Sequence, residues 1–157
     1  MYERFTDRAR KVMKLANEQA VRLHHRQVDV EHVLLGLSAE GSGVAANVLK
    51  NLGADFESCR AELEKLTPPL PAEILTDGAL PLTSPATQLV EASLQEAKHL
   101  GHNYVGTEHL ILAVTRQQGA AVQALANLGI TPENLRCEVL NLLGHFVDPW
   151  PLSGGAM

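Results

Sequence analysis

The sequence predicts an all-α fold of eight helices, built as two tandem four-helix repeats with pseudo-twofold symmetry. Three observations carry this expectation. The chain is self-similar: residues 5–37 lie over 82–114 at an offset of 77 with nine of 33 positions identical, and residues 43–66 lie over 119–142 at an offset of 76 with ten of 24. Apolar residues recur at three- and four-residue steps, the period of a helix face, and no run alternates as a half-buried strand would. Turn residues repeat with the apolar pattern, as where "NLG" falls on "NLG". The resulting division is a first repeat over residues 1–66, a linker over 67–81, a second repeat over 82–144 and an irregular tail over 145–157.

In the first helix of each repeat, Phe5, Ala9, Val12, Met13, Ala16, Ala20 and Leu23 form one stripe, and Leu82, Ala86, Leu89, Val90, Ala97 and Leu100 form its counterpart. Thr6 and Thr83 precede these stripes as N-caps, with Pro85 suited to a first turn that needs no amide partner. The pair ends near "LHH" and "LGH", where Gly101 is a C-terminal signal. The second helices, "VEHVLLGL" and "TEHLILAV", are apolar nearly all round and belong at the centre of each unit, with Asp29 and Thr107 expected as their caps. Third helices follow "EGSG" and "QQG" and stop before Gly53 and Gly129. The fourth run from about Asp55 to Leu66 and from Thr131 to Leu143. Four prolines and a glycine in "TPPLPAEILTDGALPL" rule out a continuous helix between the repeats, and Trp150 in the tail is expected to pack simply or lie loose.

Composition narrows the function classes. Hydrophobic residues make up 45% and charged residues 20%, which specifies a folded chain rather than a disordered one. No apolar stretch approaches the roughly 18 residues of a membrane span, and two cysteines without CxxC spacing suit a reducing, cytoplasmic setting. The net charge of −5 argues against generic nucleic-acid binding. It is uneven: residues 1–66 hold ten basic and ten acidic side chains, residues 67–157 three and eight, so the first half is the better anion binder.

The paired "EH" at Glu31–His32 and Glu108–His109 is the chemistry-bearing feature. Neighbouring helical residues point about 100° apart and cannot share one metal, and neither HExxH nor a cysteine pair is present. His32 and His109 are expected to be structural, bonded near the preceding helix end where His25 and His102 fall. There is no GxSxG elbow and no glycine-lysine pair of a phosphate loop, so no catalytic residue and no cofactor is assigned. Surface recognition remains. Helix starts attract anions and a first-turn glutamate attracts a guanidinium, so a ligand carrying both charges would suit adjacent helix starts.

The segments "RFTDRARKVMKLANEQA", "VEHVLLGL", "EGSGVAANVLKNLG" and "EAKHLGHNYVGTEHLILAV" resemble the double Clp repeat of ClpC- and ClpA-type ATPases over residues 2–144. That resemblance implies a non-enzymatic domain that recruits substrate or adaptor polypeptides to a Clp ATPase. It also implies recognition of phosphorylated arginine, with Glu31 and Thr6 in the first copy and Glu108 and Thr83 in the second. Arg4 and Arg8 flank Thr6, whereas Pro81, Leu82, Ser84 and Pro85 surround Thr83, and Asp29–Val30 stands where the motif reads Gly-Thr. Weaker phosphate affinity is therefore expected in the second copy, and in the first an aspartate opposing the arginines. A stand-alone relative, a ClpC-type fragment, a purely structural scaffold and a metal-using Glu-His protein all remain open on the sequence alone.

Overall fold

A computed structural model of the chain describes residues 1–71 and 78–144; the tail over 145–157, Trp150 included, lies outside them. Among the described residues there are eight helices and no named strand: α1 (Asp7–Arg22), α2 (Val30–Glu40), α3 (Val44–Asn51), α4 (Phe56–Leu66), α5 (Ser84–His99), α6 (Thr107–Val114), α7 (Ala120–Asn127) and α8 (Pro132–Leu142). The expected all-α, two-by-four arrangement is what forms.

The caps explain most boundaries. Thr6 Oγ1 accepts from Ala9 N at 3.1 Å, and Thr83 Oγ1 from Ala86 N at 3.1 Å, so α1 and α5 begin alike. Asp55 and Thr131 start α4 and α8 in the same way. Such a cap is worth about 1 kcal/mol. At the far end of α5, Gly101 takes a positive φ of 75°, and its first-repeat counterpart is His24 at 59°.

One expected cap is corrected. α6 is capped by Gly106, which has no side chain to offer, and Thr107 is the first helical residue. The Thr107 hydroxyl instead accepts from Ala45 N at 3.2 Å, capping α3 of the other repeat, whose own N-cap is Gly43.

The repeats share one hydrophobic core instead of forming two. α2 packs on α6 across the pseudo-twofold axis, and the other crossing contacts come in symmetric pairs: α4 on α7 with α3 on α8, α3 on α6 with α2 on α7, and α1 on α6 with α2 on α5. Leu34, Leu35, Leu37, Leu110, Ile111 and Leu112 are fully buried, which is why α2 and α6 read as apolar all round. Within the first repeat, α1 and α2 approach closely enough that a Cβ on Gly36 would lie 2.5 Å from Val12 O. Its second-repeat counterpart, Ala113, is buried with its methyl in place. Cys59 and its counterpart Leu135 are both fully buried, and burial pushes the Cys59 thiol up to about 12, which makes it a core residue.

The described parts of the linker are tied to the first repeat. Asn17 donates through Nδ2 to Gly78 O at 2.7 Å and accepts from Leu80 N at 2.8 Å, while Leu70 N donates to Leu23 O at 3.0 Å. No helix among the described residues is long and apolar enough to cross a membrane.

Candidate functional site

Two short parallel bridges, Phe5 with Val105 and Val28 with Leu82, decide which helix starts become neighbours. Thr6 N donates to Val105 O at 2.9 Å and Val105 N to Arg4 O at 2.8 Å; symmetrically, Thr83 N donates to Val28 O at 2.9 Å and Val28 N to Pro81 O at 2.8 Å. Each bridge joins one repeat to the other. The start of α1 therefore lies beside the start of α6, and the start of α5 beside that of α2.

This crosses the pairing expected within each copy. Thr6 lines a cleft of about 550 Å3 with Asp7, Arg8, Gly43, Tyr104, Gly106, Thr107 and Glu108, and Glu31 is not among its lining residues. Thr83 instead meets the first repeat, its hydroxyl donating to Asp29 Oδ1 at 2.8 Å. The physical reason is the bridge: a segment pinned to the partner repeat's loop cannot also reach the glutamate of its own.

The Thr6–Glu108 cleft has a mixed character. Three helices begin at it, α1, α3 and α6, and a helix start carries a partial positive charge. Glu108 is 8% exposed, its carboxylate folded back over Gly106 with Tyr104 Oη donating to Oε2 at 3.4 Å. A Cβ on residue 106 would overlap that carboxylate, so glycine is required for this rotamer. Arg8 stands at the rim, 64% exposed, its Nε donating to Ser42 Oγ at 3.1 Å and lying 3.8 Å from Glu40 Oε2.

Glu40 is itself committed to the backbone. Burial raises its proton affinity, but bonds from the Ser42 hydroxyl and from Gly43 N and Ser42 N, with Arg8 nearby, outweigh that and hold the carboxyl below the usual range. Arg4 lines a smaller adjoining hollow of about 240 Å3 with His102 and Tyr104, so Tyr104 separates the two arginines of the expected set.

Where the starts of α2 and α5 meet, the threonine and glutamate are kept as Thr83 and Glu31, but Asp29, Val30 and Pro85 stand in place of Gly106, Thr107 and Arg8. Asp29 Oδ1 accepts from Val30 N at 2.8 Å as well as from the Thr83 hydroxyl. Glu31 is only partly buried; desolvation, reinforced by Asp29, pushes its carboxyl up. Pro81 and Pro85 stand where Arg4 and Arg8 stand in the first copy. The crossing thus brings Asp29, Val30, Pro81 and Pro85 to the meeting of α2 and α5, and Thr6, Arg8, Gly106, Thr107 and Glu108 to the cleft.

The histidines are framework, as expected. Asp29 N donates to His32 Nδ1 at 2.8 Å, which requires the His32 proton on Nε2, 2.8 Å from His25 Nδ1; His25 Nε2 then donates to Pro68 O at 3.0 Å. The second repeat copies this: Gly106 N donates to His109 Nδ1 at 2.9 Å, and His109 Nε2 lies 2.8 Å from His102 Nδ1. Both ring nitrogens of His32 and of His109 are thereby engaged within the fold. Burial lowers His32 to about 4 and also lowers His109.

Sequence reasoning missed Tyr104, Gly43 and Thr107 as members of the cleft. The offset of 77, which aligns Gly106 with Asp29, was the available signal for the Gly106 cap.

Comparison with known proteins gives these features a family. The family model described as the Clp repeat (R) N-terminal domain matches residues 4–128 and 82–149. The chain is 44% identical over 146 residues to the chloroplastic ClpA homolog, ATP-binding subunit of the ATP-dependent Clp protease, of Brassica napus, and 44% identical over 146 residues to the chloroplastic chaperone ClpC1 of Arabidopsis thaliana. In both cases the match takes in 92% of this chain but 16% of the relative. In fold it is similar to the N-terminal domain of ClpD from Arabidopsis thaliana, with a TM-score of 0.75 at 21% identity over 92% of this chain and 97% of that one. It is also similar to a ClpV N-domain solved in complex with a VipB peptide, with a TM-score of 0.62 at 18% identity over 92% and 89% of the two chains. With the family model matched over most of its length, this chain belongs to the Clp repeat N-terminal domain family.

Proposed function

We propose that this chain is a non-enzymatic binding module of the Clp unfoldase–protease system that recruits substrate or adaptor polypeptides, and that the Thr6–Glu108 cleft reads phosphorylated arginine on them. The observation that carries the reading is the meeting, in one cleft, of three helix starts with the carboxylate of Glu108. A phosphoguanidine carries the two complementary charges on one group. Its phosphate suits the helix starts and the Thr6 region with Arg8 at the rim, and its guanidinium suits Glu108. Family membership supports a recruiting role, since the ClpV N-domain neighbour was solved with a VipB peptide.

Calorimetric titration with a phosphoarginine peptide tests this. Glu108→Gln removes a charge-assisted contact worth about 1.5–3 kcal/mol and is expected to weaken binding roughly 10- to 100-fold. The unphosphorylated arginine peptide is expected to bind far more weakly to the native chain. Equal affinity for the two peptides, or a Glu108→Gln chain that binds as the native one does, would remove the proposal.

A further inference from the structure

We infer that Asp29, where the starts of α2 and α5 meet, supplies a carboxylate at the place where the Thr6–Glu108 cleft receives a ligand's anion, so that the chain offers one phosphoguanidine site and not two. The inference rests on the reading above and adds to it a residue that decides how many ligands are held.

Three observations converge on residue 29. Its Oδ1 lies 2.8 Å from both Thr83 Oγ1 and Val30 N, the hydroxyl and the helix-start amide that an incoming anion would use there. Val30 N belongs to the first turn of α2, so the aspartate already sits at the positive end of that helix. A phosphate arriving there would have to displace a bound carboxylate and would be repelled by it.

The second observation is steric. At the equivalent Gly106, any Cβ would overlap the folded-back Glu108 carboxylate. Asp29 has such a Cβ, so Glu31 cannot take the conformation that Glu108 takes, and it is the more exposed of the two glutamates. The third is the flank: Pro81 and Pro85 replace the two arginines, so neither flanking position offsets Asp29. Burial together with Asp29 pushes the Glu31 carboxyl up, as a crowded pair of acids requires.

The molecule carries its own control. α6 starts on Gly106 without a side-chain cap, and its histidine bond forms all the same, so Asp29→Gly recreates a helix start already present in this fold. Glycine at an N-cap costs only a few tenths of a kcal/mol relative to aspartate.

The test is a titration with free phosphoarginine followed by backbone-amide NMR, with calorimetry giving the stoichiometry. In the native chain, one molecule is expected to bind, with shifts at Asp7, Arg8, Thr107 and Glu108. In Asp29→Gly, a second set is expected at Val30, Glu31 and Ser84, with two molecules bound. The reciprocal Gly106→Asp is expected to abolish binding. Two molecules on the native chain, or a folded Asp29→Gly chain without shifts at Val30 and Ser84, would overturn the inference. A silent Thr6–Glu108 cleft in the native chain would instead overturn the reading on which it rests. Should Asp29→Gly not fold, the native stoichiometry and Gly106→Asp still decide the matter.

Discussion

Acidification should weaken the histidine-held helix starts from about pH 6.5 downward, because the unfolded chain accepts a proton there that the folded chain refuses. His32 is 2% exposed, and its Nδ1 faces the Asp29 N–H, so a proton placed there would set two donors against each other. Burial, with His25 adding to it, lowers this histidine from 6.5 to about 4. The unfolded chain therefore takes up a proton on falling through 6.5 that the folded chain refuses until about 4. The contribution to stability is fully present above pH 6.5 and is lost as pH falls through 4, and it amounts to roughly 3 kcal/mol. His109, lowered mainly by its burial, acts in the same direction. By pH 5, about 2 kcal/mol should be gone from His32 alone. Urea unfolding between pH 7 and 5 measures the loss, and nitrogen-15 NMR of the imidazoles should show the Nε2–H tautomer throughout that range. A free energy of unfolding that stays flat from pH 6.5 to 5, or an Nδ1–H tautomer at His32, would refute the reasoning.

Two packing predictions accompany it. Gly36→Ala places a methyl 2.5 Å from Val12 O and 3.1 Å from Ala16 N, both backbone atoms, and should destabilise the fold by about 1–3 kcal/mol in chemical denaturation. Glu40→Ala removes the acceptor for Ser42 N and Gly43 N at the entrance to α3 and should cost about 1–3 kcal/mol, with faster hydrogen exchange at those two amides.

The fold was legible because its determinants are local. Apolar stripes and the caps Thr6, Thr83, Asp55 and Thr131 each act within a turn or two, and both copies say the same thing. Of the residues that line the cleft, Thr6, Arg8 and Glu108 were named from the sequence as site residues, whereas Tyr104, Gly43 and Thr107 were not. The pairing of Thr6 with Glu108 was not legible. It depends on the Phe5–Val105 and Val28–Leu82 bridges, contacts between segments about a hundred and about fifty residues apart that leave no periodic signal. Thr107 misled for a related reason: threonine next to an apolar run looks like that helix's own cap, yet its hydroxyl serves Ala45 in the other repeat. Nor could a single copy reveal Asp29 as a substitute anion, because its partner Thr83 lies 54 positions away.

Crossed assembly of the cleft is the claim on which the functional account depends, and a double-mutant cycle on phosphoarginine-peptide affinity addresses it directly. Thr6→Val and Glu108→Gln should each weaken binding and together fall short of or exceed the sum of their separate effects, whereas Thr83→Val with Glu108→Gln should be additive within about 0.5 kcal/mol. Coupling between Thr83 and Glu108, with none between Thr6 and Glu108, would contradict the account.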